Sequence, residues 1–590
     1  MIIPSKDPFR IEKLLEIRDA CTASQNERRE LYARRRKYAM FGSDDYRQVR
    51  YNRLFAHTDL VASFLFSPDT AKYNLAPPRN SPPLIQAQAV ALQDEWNQQF
   101  RDTGLAYQYA LAVLWALIYD TMYLKIGYNR DRKRLTGTLI MPNAMGVYDE
   151  MEPELDNQEA FCHSYRQNWD RSVLQLYSAG LADRVADLGV SQGTPIEDMP
   201  PVLKQLLITQ TGGQNLSGNL MGQAPLDIQP VILYEPKSNI PTVAWQELWV
   251  WDDVAEDYAM FIIADPDILI TDSRESIKKR RDLNQAKALA KKLNGGSRDA
   301  GDDDDTPSDS NEFLPGEYPF VQITPYQLPD YAYGEAHSER LIPLQNWTSE
   351  RLDQIAEVLE AQVDPSKVFS GFMGLSDEKA AAFGGPGSWV LDALPGAKVD
   401  KQTPQMPEDL FVEFREIGAI FLEASGLTET ITGQGGKNVR GKGAQRQAAV
   451  TGSSRIKKVA VGLEPSLIQL GDLALKLFMN KSDDELLLPD GSKFLPKLFA
   501  AEHWNLRIAG HSHSPLFADE ARELAVILLK AAAIDREMFV RLLTPPQEDT
   551  IISALRERIK VERAIAAQNP AALQKPGGGK ARGASHGPQA

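Results

Sequence analysis

The pattern closest to a catalytic motif is a glycine-rich stretch, Gly436–Gly443, with the sequence GKNVRGKG. Its glycines and Lys442 have the spacing of a loop whose backbone N–H groups hold nucleotide phosphates. The residue after that lysine must be Ser or Thr to reach magnesium, but here it is Gly443, and no predicted strand leads into the stretch. The pattern therefore favours a basic loop over a nucleotide site.

Histidine and cysteine pairs give weaker signals. His511 and His513, with His503 nearby, could bind a metal because alternate residues of a strand face the same side. A third ligand at a recognisable spacing is missing, which favours surface histidines. Cys162 and His163 adjoin, but neighbours on a strand point to opposite faces, so a nucleophile–base pair is disfavoured.

The acidic run Asp302–Asp305 could hold a hard cation, although such runs are usually solvated. The sequence contains no HExxH or EF-hand pattern. We therefore expect a protein that is not an enzyme, with no catalytic residues, no metal site and no cofactor.

Composition limits the class of protein. The chain has 590 residues and a formal charge of −15, which excludes a protein that coats nucleic acid with its whole surface. Two cysteines cannot form a disulfide framework, so a reducing compartment is expected. The N-terminal residues lack the continuous apolar stretch of an export signal. The longest apolar run, Ala110–Tyr119, is about half the length that a membrane span needs and predicts a buried helix.

The N-terminal half is predicted to combine helices and strands. Residues 11–66 have a helical, basic pattern, the Pro-rich stretch Leu75–Pro83 should break it, and helices over about 84–102 and 105–120 follow. Runs rich in β-branched and aromatic residues, such as MYLKIGYN, TVAWQELWVWDD and DYAMFIIADPDILITD, then predict short strands. The fold class expected is α+β with several domains.

Two helices are predicted farther along, over about 338–362 and 407–426, on either side of a Gly- and Pro-rich insertion. Each carries one apolar stripe, which we assign to helix packing. The stripes contain Leu352, Ile355, Ala356 and Leu359 in the first helix, and Leu410, Phe414, Ile417 and Phe421 in the second. A long helix to about Asn480, a β-like return and helices over 519–567 should follow.

The segment Thr430–Leu463 is unusual for an acidic protein, because it holds seven basic residues and no acidic one. Its first half contains five glycines, which allow close approach of side chains or backbone N–H groups to phosphates. The segment is therefore interpreted as a basic loop joined to a helix and suited to transient contact with a polyanion. A solvated loop that happens to be basic is the alternative.

This order of segments resembles the portal protein of tailed bacteriophages, from about Arg28 to Ala567. The resemblance is most specific at TSERLDQIAEVLEAQVDPSKVFSG, at MPEDLFVEFREIGAIFLEASGLTETITG and at VRGKGAQRQAAVTGSSRIKKVAVGLEP. The acidic loop near Asp302 and a helical insertion near Asp183 look like additions to that pattern.

The resemblance implies a portal fold with a mixed α/β wing, a two-helix stem, a small β-containing clip and a helical crown. Its parts would be the N-terminal wing at 1–337 with a flexible acidic loop at about 295–312, stem helix 1 at 338–362, the clip at 363–406, stem helix 2 at 407–426, the tunnel loop at 427–446, the long helix and C-terminal wing at 447–518, the crown at 519–567 and a disordered tail at 568–590.

Such a protein forms a homo-oligomeric ring, in this family a dodecamer, at one capsid vertex of the virion, and is assembled in the host cytoplasm. Double-stranded viral DNA is packaged and ejected through the ring. The partners implied are the large terminase subunit, head–tail adaptor or tail proteins, and major capsid and scaffolding proteins, with no membrane.

Three sets of site residues follow from the resemblance. DNA-contacting tunnel-loop residues would be Lys437, Arg440, Lys442 and Arg446. Channel-facing stem residues would be Glu350, Asp353, Glu357, Glu413 and Glu416. Clip residues for docking would be Phe369, Phe372, Met373 and Trp389, although the clip's own core or ring contacts could also use them.

Two other functions stay open. One is a nucleotide- or metal-dependent nucleic-acid enzyme that uses the loop from Lys437 to Lys442. The other is a neck or connector protein outside the packaging vertex.

Overall fold

The computed structural model describes Ile3 and residues 9–44, 51–77, 82–129, 132, 134–191, 241–253, 257–275, 277–278, 317–363, 366–370, 398–402, 407–427, 454–481, 485–487, 493–495, 505–508, 511, 513–531, 533–543, 551–552, 554–559 and 561. Over these residues the fold is mixed α+β and multidomain, as predicted. Among the described helices, none has both the length and the apolar composition needed to cross a bilayer.

The described helices and strands follow the predicted order closely. The helices are α1 (Phe9–Phe41), α2 (Arg53–Leu65), α3 (Pro83–Asp102), α4 (Leu105–Tyr119), α5 (Trp169–Ser178), α6 (His337–Val363), α7 (Glu408–Ala424), α8 (Ser454–Gly462), α9 (Glu464–Lys481), α10 (Ala518–Lys530) and α11 (Arg536–Leu543). The strands are β1 (Tyr73–Ala76), β2 (Met122–Asn129), β3 (Arg134–Ile140), β4 (Met145–Val147), β5 (Ala160–Asn168), β6 (Val190–Ser191), β7 (Thr242–Asp252), β8 (Asp257–Ala264), β9 (Ile268–Asp272), β10 (Phe320–Ile323), β11 (Ser366–Ser370), β12 (Lys398–Gln402), β13 (Leu486–Leu487), β14 (Lys493–Phe494) and β15 (Asn505–Ile508).

A six-stranded antiparallel sheet carries α1 on one face. Its strand order is β4–β5–β7–β8–β9, with β6 paired to β7. Leu14, Ile17 and Cys21 of α1 pack against the sheet in one apolar cluster. The contact is close enough to require glycine in β4, because a Cβ at Gly146 would lie 2.2 Å from the Cys21 carbonyl oxygen.

The main core lies around α4, whose apolar run Ala110–Tyr119 is buried or half-buried, as predicted. It packs beside the three-stranded sheet β10–β2–β3 and contributes to the same apolar cluster as α2, α3, α8 and α9. This cluster is referred to below as the main core.

Two predictions of element boundaries need correction. The stretch predicted only to break the helices includes part of β1, which pairs with β15 more than 400 residues later, Tyr73 opposite Ile508. The long helix predicted to run to about Asn480 is two helices, α8 and α9, that meet at Leu463. Pro465 explains the break, because proline lacks an N–H donor and is tolerated in the first turn of a helix.

α6 and α7 pack side by side as an antiparallel pair, referred to below as the helix pair. Leu341 and Ile342 near the start of α6 share a cluster with Ile417 and Phe421 near the end of α7. Farther along α6, Arg351 forms an ion pair with Glu413 at 2.9 Å. The chain between the two helices includes the antiparallel strands β11 and β12.

Candidate functional site

The basic segment is anchored in the main core at both of its ends. The four residues predicted to contact DNA, Lys437, Arg440, Lys442 and Arg446, lie outside the described residues. Leu427 before them and Ile456 after them are buried in the main core.

These two anchors are close together in space. Gly426 has a positive φ of 76°, which ends α7 in a conformation that glycine adopts without strain. A Cβ built at Gly426 would lie 3.9 Å from Cγ1 of Ile456. The described chain therefore ends before residue 428 and resumes at residue 454 at neighbouring points of the fold.

The C-terminal part of the basic segment is α8, which also carries positive charge. Ile456 and Ala460 bury one face of α8, while Arg455 and Lys458 are exposed. The Lys457 ammonium lies 5.1 Å from the centroid of the Phe517 ring. A fixed helix thus presents two of the seven basic residues to solvent.

The outer half of the helix pair projects from the body of the protein. The buried residues of α6 end at Thr348, and every side chain from Glu350 to Val363 is at least partly exposed. Leu359 is 48% exposed and Val363 is 86% exposed. Leu359, which we assigned to helix packing, is therefore only about half covered within a single copy of the chain.

The facing part of α7 repeats this pattern. Phe411 is 47% exposed and Val412 is 45% exposed, whereas Ile417 and Phe421, nearer the body, are buried. Apolar side chains on both helices are thus left in solvent in a single copy of the chain. Such patches commonly mark contacts with other macromolecules.

The predicted acidic stem residues are distributed along the same helices. Glu350, Glu357 and Glu416 are exposed, and Asp353 is half-buried. On α6, the spacing of Glu350, Asp353 and Glu357 places them on one side of the helix. Glu413 is half-buried and is bound to Arg351, so its charge is neutralised within the chain.

The predicted clip residues are mostly outside the described part of the chain. Phe372, Met373 and Trp389 lie outside it. Phe369 belongs to β11, where its backbone is in register with Val399 of β12.

The histidines near position 511 are not both on the surface, which corrects the sequence-based expectation for His513. His513 is buried, and its Nε2 lies 3.0 Å from the Ala460 carbonyl oxygen. His511 is exposed and contacts Glu464, whose carboxylate is 3.6 Å from Nδ1 of His513. Within the described residues, no group of three or more His, Cys, Asp or Glu side chains is arranged to hold a metal ion. His503 lies outside those residues.

Cys162 and His163 point to opposite faces of β5, as predicted. Cys162 lies in the apolar cluster beneath α1, and burial raises the pKa of its thiol to about 12. His163 faces the other side, where its Nδ1 is 3.5 Å from the Glu247 carboxylate. The pair therefore cannot act as nucleophile and base.

Glu247 forms a buried charged cluster that the sequence did not reveal. Lys125 and His163 both contact its carboxylate, and the Trp249 indole donates a hydrogen bond to it at 3.0 Å. Burial alone would raise the pKa of Glu247, but His163 and Lys125 outweigh it and hold the pKa at about 2.

A second buried cluster uses two arginines of the basic N-terminal segment. Arg28 and Arg35 of α1 pair with Asp120 at 3.3 and 2.8 Å. Burial raises the pKa of Asp120 to about 6 in spite of the two guanidinium groups. Arg35 also pairs with Glu339 at the start of α6. These arginines hold α1 to α4 and α6 and are not available to a polyanion.

Comparisons with known proteins do not identify the chain. No known protein family matches it, and no curated protein matches its sequence.

Proposed function

We propose that this protein is a portal protein, whose copies form a ring-shaped channel at one capsid vertex. The observation that carries the proposal is the helix pair, which projects from the body and leaves apolar side chains exposed on both helices. The order of helix, antiparallel strand pair, helix, basic segment and further helices supports the same function, because the resemblance implies that order.

The exposed apolar residues favour self-association. Burying a fully exposed side chain of this kind contributes about 1.5–3 kcal/mol. Val363, which is 86% exposed, would contribute most of that amount, and the half-exposed Leu359, Phe411 and Val412 would each contribute about half of it. In a closed ring each copy presents two different surfaces to its two neighbours, so the projecting helices can be covered on both sides. In this proposal the ring is a dodecamer.

The charges of the chain suit a channel for double-stranded DNA. Twelve copies would carry a formal charge of 12 × (−15) = −180, so the body of the ring would not attract DNA. Salt limits this repulsion to about 8–10 Å. The basic segment would then contact phosphates without reading bases.

The proposal includes the partners that a packaging vertex requires. DNA would be packaged and later ejected through the ring, which would dock the large terminase subunit and then head–tail adaptor or tail proteins. Major capsid and scaffolding proteins would surround it. The protein would be located in the virion and, during assembly, in the host cytoplasm. In this proposal it catalyses no reaction.

Imaging and mass measurement of the purified protein test the proposal. We expect rings with an open central hole and a mass near twelve times 65.7 kDa. The double variant Leu359→Glu/Val412→Glu should shift the protein to smaller species without loss of helix content. The matched variant Leu359→Met/Val412→Ile should keep the rings. A single globule without an axial opening under all assembly conditions would refute the proposal.

A further inference from the structure

Two histidines lie where the helix pair joins the body. His337 is the first residue of α6 and is 1% exposed. His57 lies on α2, and its ring stacks on Phe421 of α7 with centroids 5.3 Å apart. The His337 ring stacks on Tyr326 with centroids 5.8 Å apart and rings nearly parallel. One histidine therefore contacts α7, and the other begins α6.

The surroundings of both rings disfavour a positive charge. A protonated imidazole has two N–H donors. Nε2 of His337 and Nδ1 of His57 are buried without a hydrogen-bond partner among the described residues. Protonation of either nitrogen would therefore bury a charged and unsatisfied donor, which is costly.

Among the charged groups around the two rings, the two arginines increase this cost and the one carboxylate reduces it. They are Arg53 on α2, Arg340 on α6 and Glu335 just before α6. The Glu335 carboxylate accepts a hydrogen bond from Arg340 at 2.8 Å, so it is already occupied. Burial, then Arg340 and His57, lower the pKa of His337 to about 4, and burial and Arg53 lower the pKa of His57.

We propose that His57 and His337 form an acid-sensitive hinge at the base of the helix pair. When both rings are neutral, they stack on Phe421 and Tyr326 and hold the pair against α2 and the body. Nδ1 of His337 lies 3.4 Å from the Tyr326 hydroxyl, but Nε2 of His337 and Nδ1 of His57 have no hydrogen-bond partner among the described residues. Protonation therefore adds a buried charge and leaves a donor without an acceptor at the base of the pair, which opens. The hinge lies within one chain, so it does not depend on ring formation.

Hydrogen–deuterium exchange of the full-length protein tests the hinge, after correction for the intrinsic pH dependence of exchange. With a pKa of about 4 in the closed state and 6.5 in the open state, His337 alone should increase opening about 30-fold between pH 7.5 and pH 5. The increase should appear in peptides covering 337–349 and 414–424. Peptides from α4 should change much less.

The double variant His57→Phe/His337→Gln should remove this pH dependence, whereas His511→Gln, which changes an exposed histidine, should retain it. Should the double variant misfold, deuterium exchange at the histidine C2 position of the unaltered protein gives the pKa of each ring directly. An ordinary pKa at both histidines, or equal protection of the two peptides at pH 7.5 and pH 5, would overturn the hinge. Neither result would bear on whether rings form.

Discussion

Replacing Glu247 by Gln should destabilise the six-stranded sheet by about 3 kcal/mol at pH 7. The pKa of Glu247 is about 2, against an ordinary value of 4.5. At about 1.36 kcal/mol for each pKa unit, this difference is the net stabilisation of the ionised carboxylate, after the cost of its burial has been subtracted from what Lys125 and His163 contribute. Gln retains the shape of the side chain and removes only its charge.

The same linkage sets the pH dependence of the effect. A carboxyl group with a lowered pKa contributes its full stability above pH 4.5 and loses it as the pH falls toward 2. The difference between Glu247 and Gln should therefore decrease to less than half of its pH 7 value at pH 3. At pH 2 it should almost vanish.

Urea unfolding measures this prediction, because tryptophan fluorescence reports on the strand that contains Glu247. Trp245, Trp249 and Trp251 all lie in β7 with it. The exposed residue Glu159, just before β5 in the same sheet, provides a control, and Glu159→Gln should change stability by less than about 0.5 kcal/mol. An equal loss at pH 7 and pH 3 for Glu247→Gln, or a loss below about 1 kcal/mol at pH 7, would refute the electrostatic argument.

Three further predictions concern the basic segment, the clip and the cysteines. Ala in place of all four predicted DNA-contacting residues, Lys437, Arg440, Lys442 and Arg446, should lower the amount of DNA packaged per head and the amount of genome retained afterwards. The matched control, Ala at the exposed residues Arg29, Arg101, Arg132 and Arg134, should change neither quantity. An unchanged phenotype of the first variant would remove the DNA-contacting role. Phe372→Asp or Trp389→Asp should abolish binding of the packaging motor or adaptor while rings still form, and normal binding would leave these residues a structural role only. Cys21 and Cys162, whose pKa values are raised by burial, should react with a thiol reagent only after unfolding, and rapid labelling of the native protein would contradict that burial.

Much of the local structure could be predicted because its signals are local. The apolar run of α4 and the β-branched and aromatic runs of β2 and β7 define their elements within a few residues of sequence. The pairing of β1 with β15 could not be found in this way. Each is only four residues long, and the two are brought together by packing of the main core.

Buried charges were the main feature of the fold that sequence patterns missed. Arg28, Asp120 and Glu247 are buried although their residue types are usually exposed. Their burial depends on partners 92 and 122 residues away, Asp120 for Arg28 and the half-buried Lys125 for Glu247. One sequence alone does not show which distant charges will meet.

The candidate site could be predicted only in part, because contacts between distant parts of the chain also decide which of its side chains are exposed. Helical periodicity located both helices of the pair, but it could not distinguish an apolar stripe that packs within the chain from one that stays exposed. Ile417 and Phe421 are of the first kind, and Leu359 is of the second. The difference depends on how far the pair extends beyond α2 and the body, which is a tertiary property.

Salt should have opposite effects on ring assembly and on DNA contact, which are the two parts of the proposed function. Copies of an acidic chain repel one another, and Glu350, Glu357 and Glu416 add negative charge to the same helices that expose Leu359 and Phe411. Apolar contacts between copies must therefore outweigh that repulsion, and salt favours them by screening it. Contacts between the basic segment and phosphates weaken as salt increases, because they depend on counterion release. A ring held together mainly by apolar contacts can thus stay assembled under conditions in which its hold on DNA is weak, as passage of DNA through a channel requires.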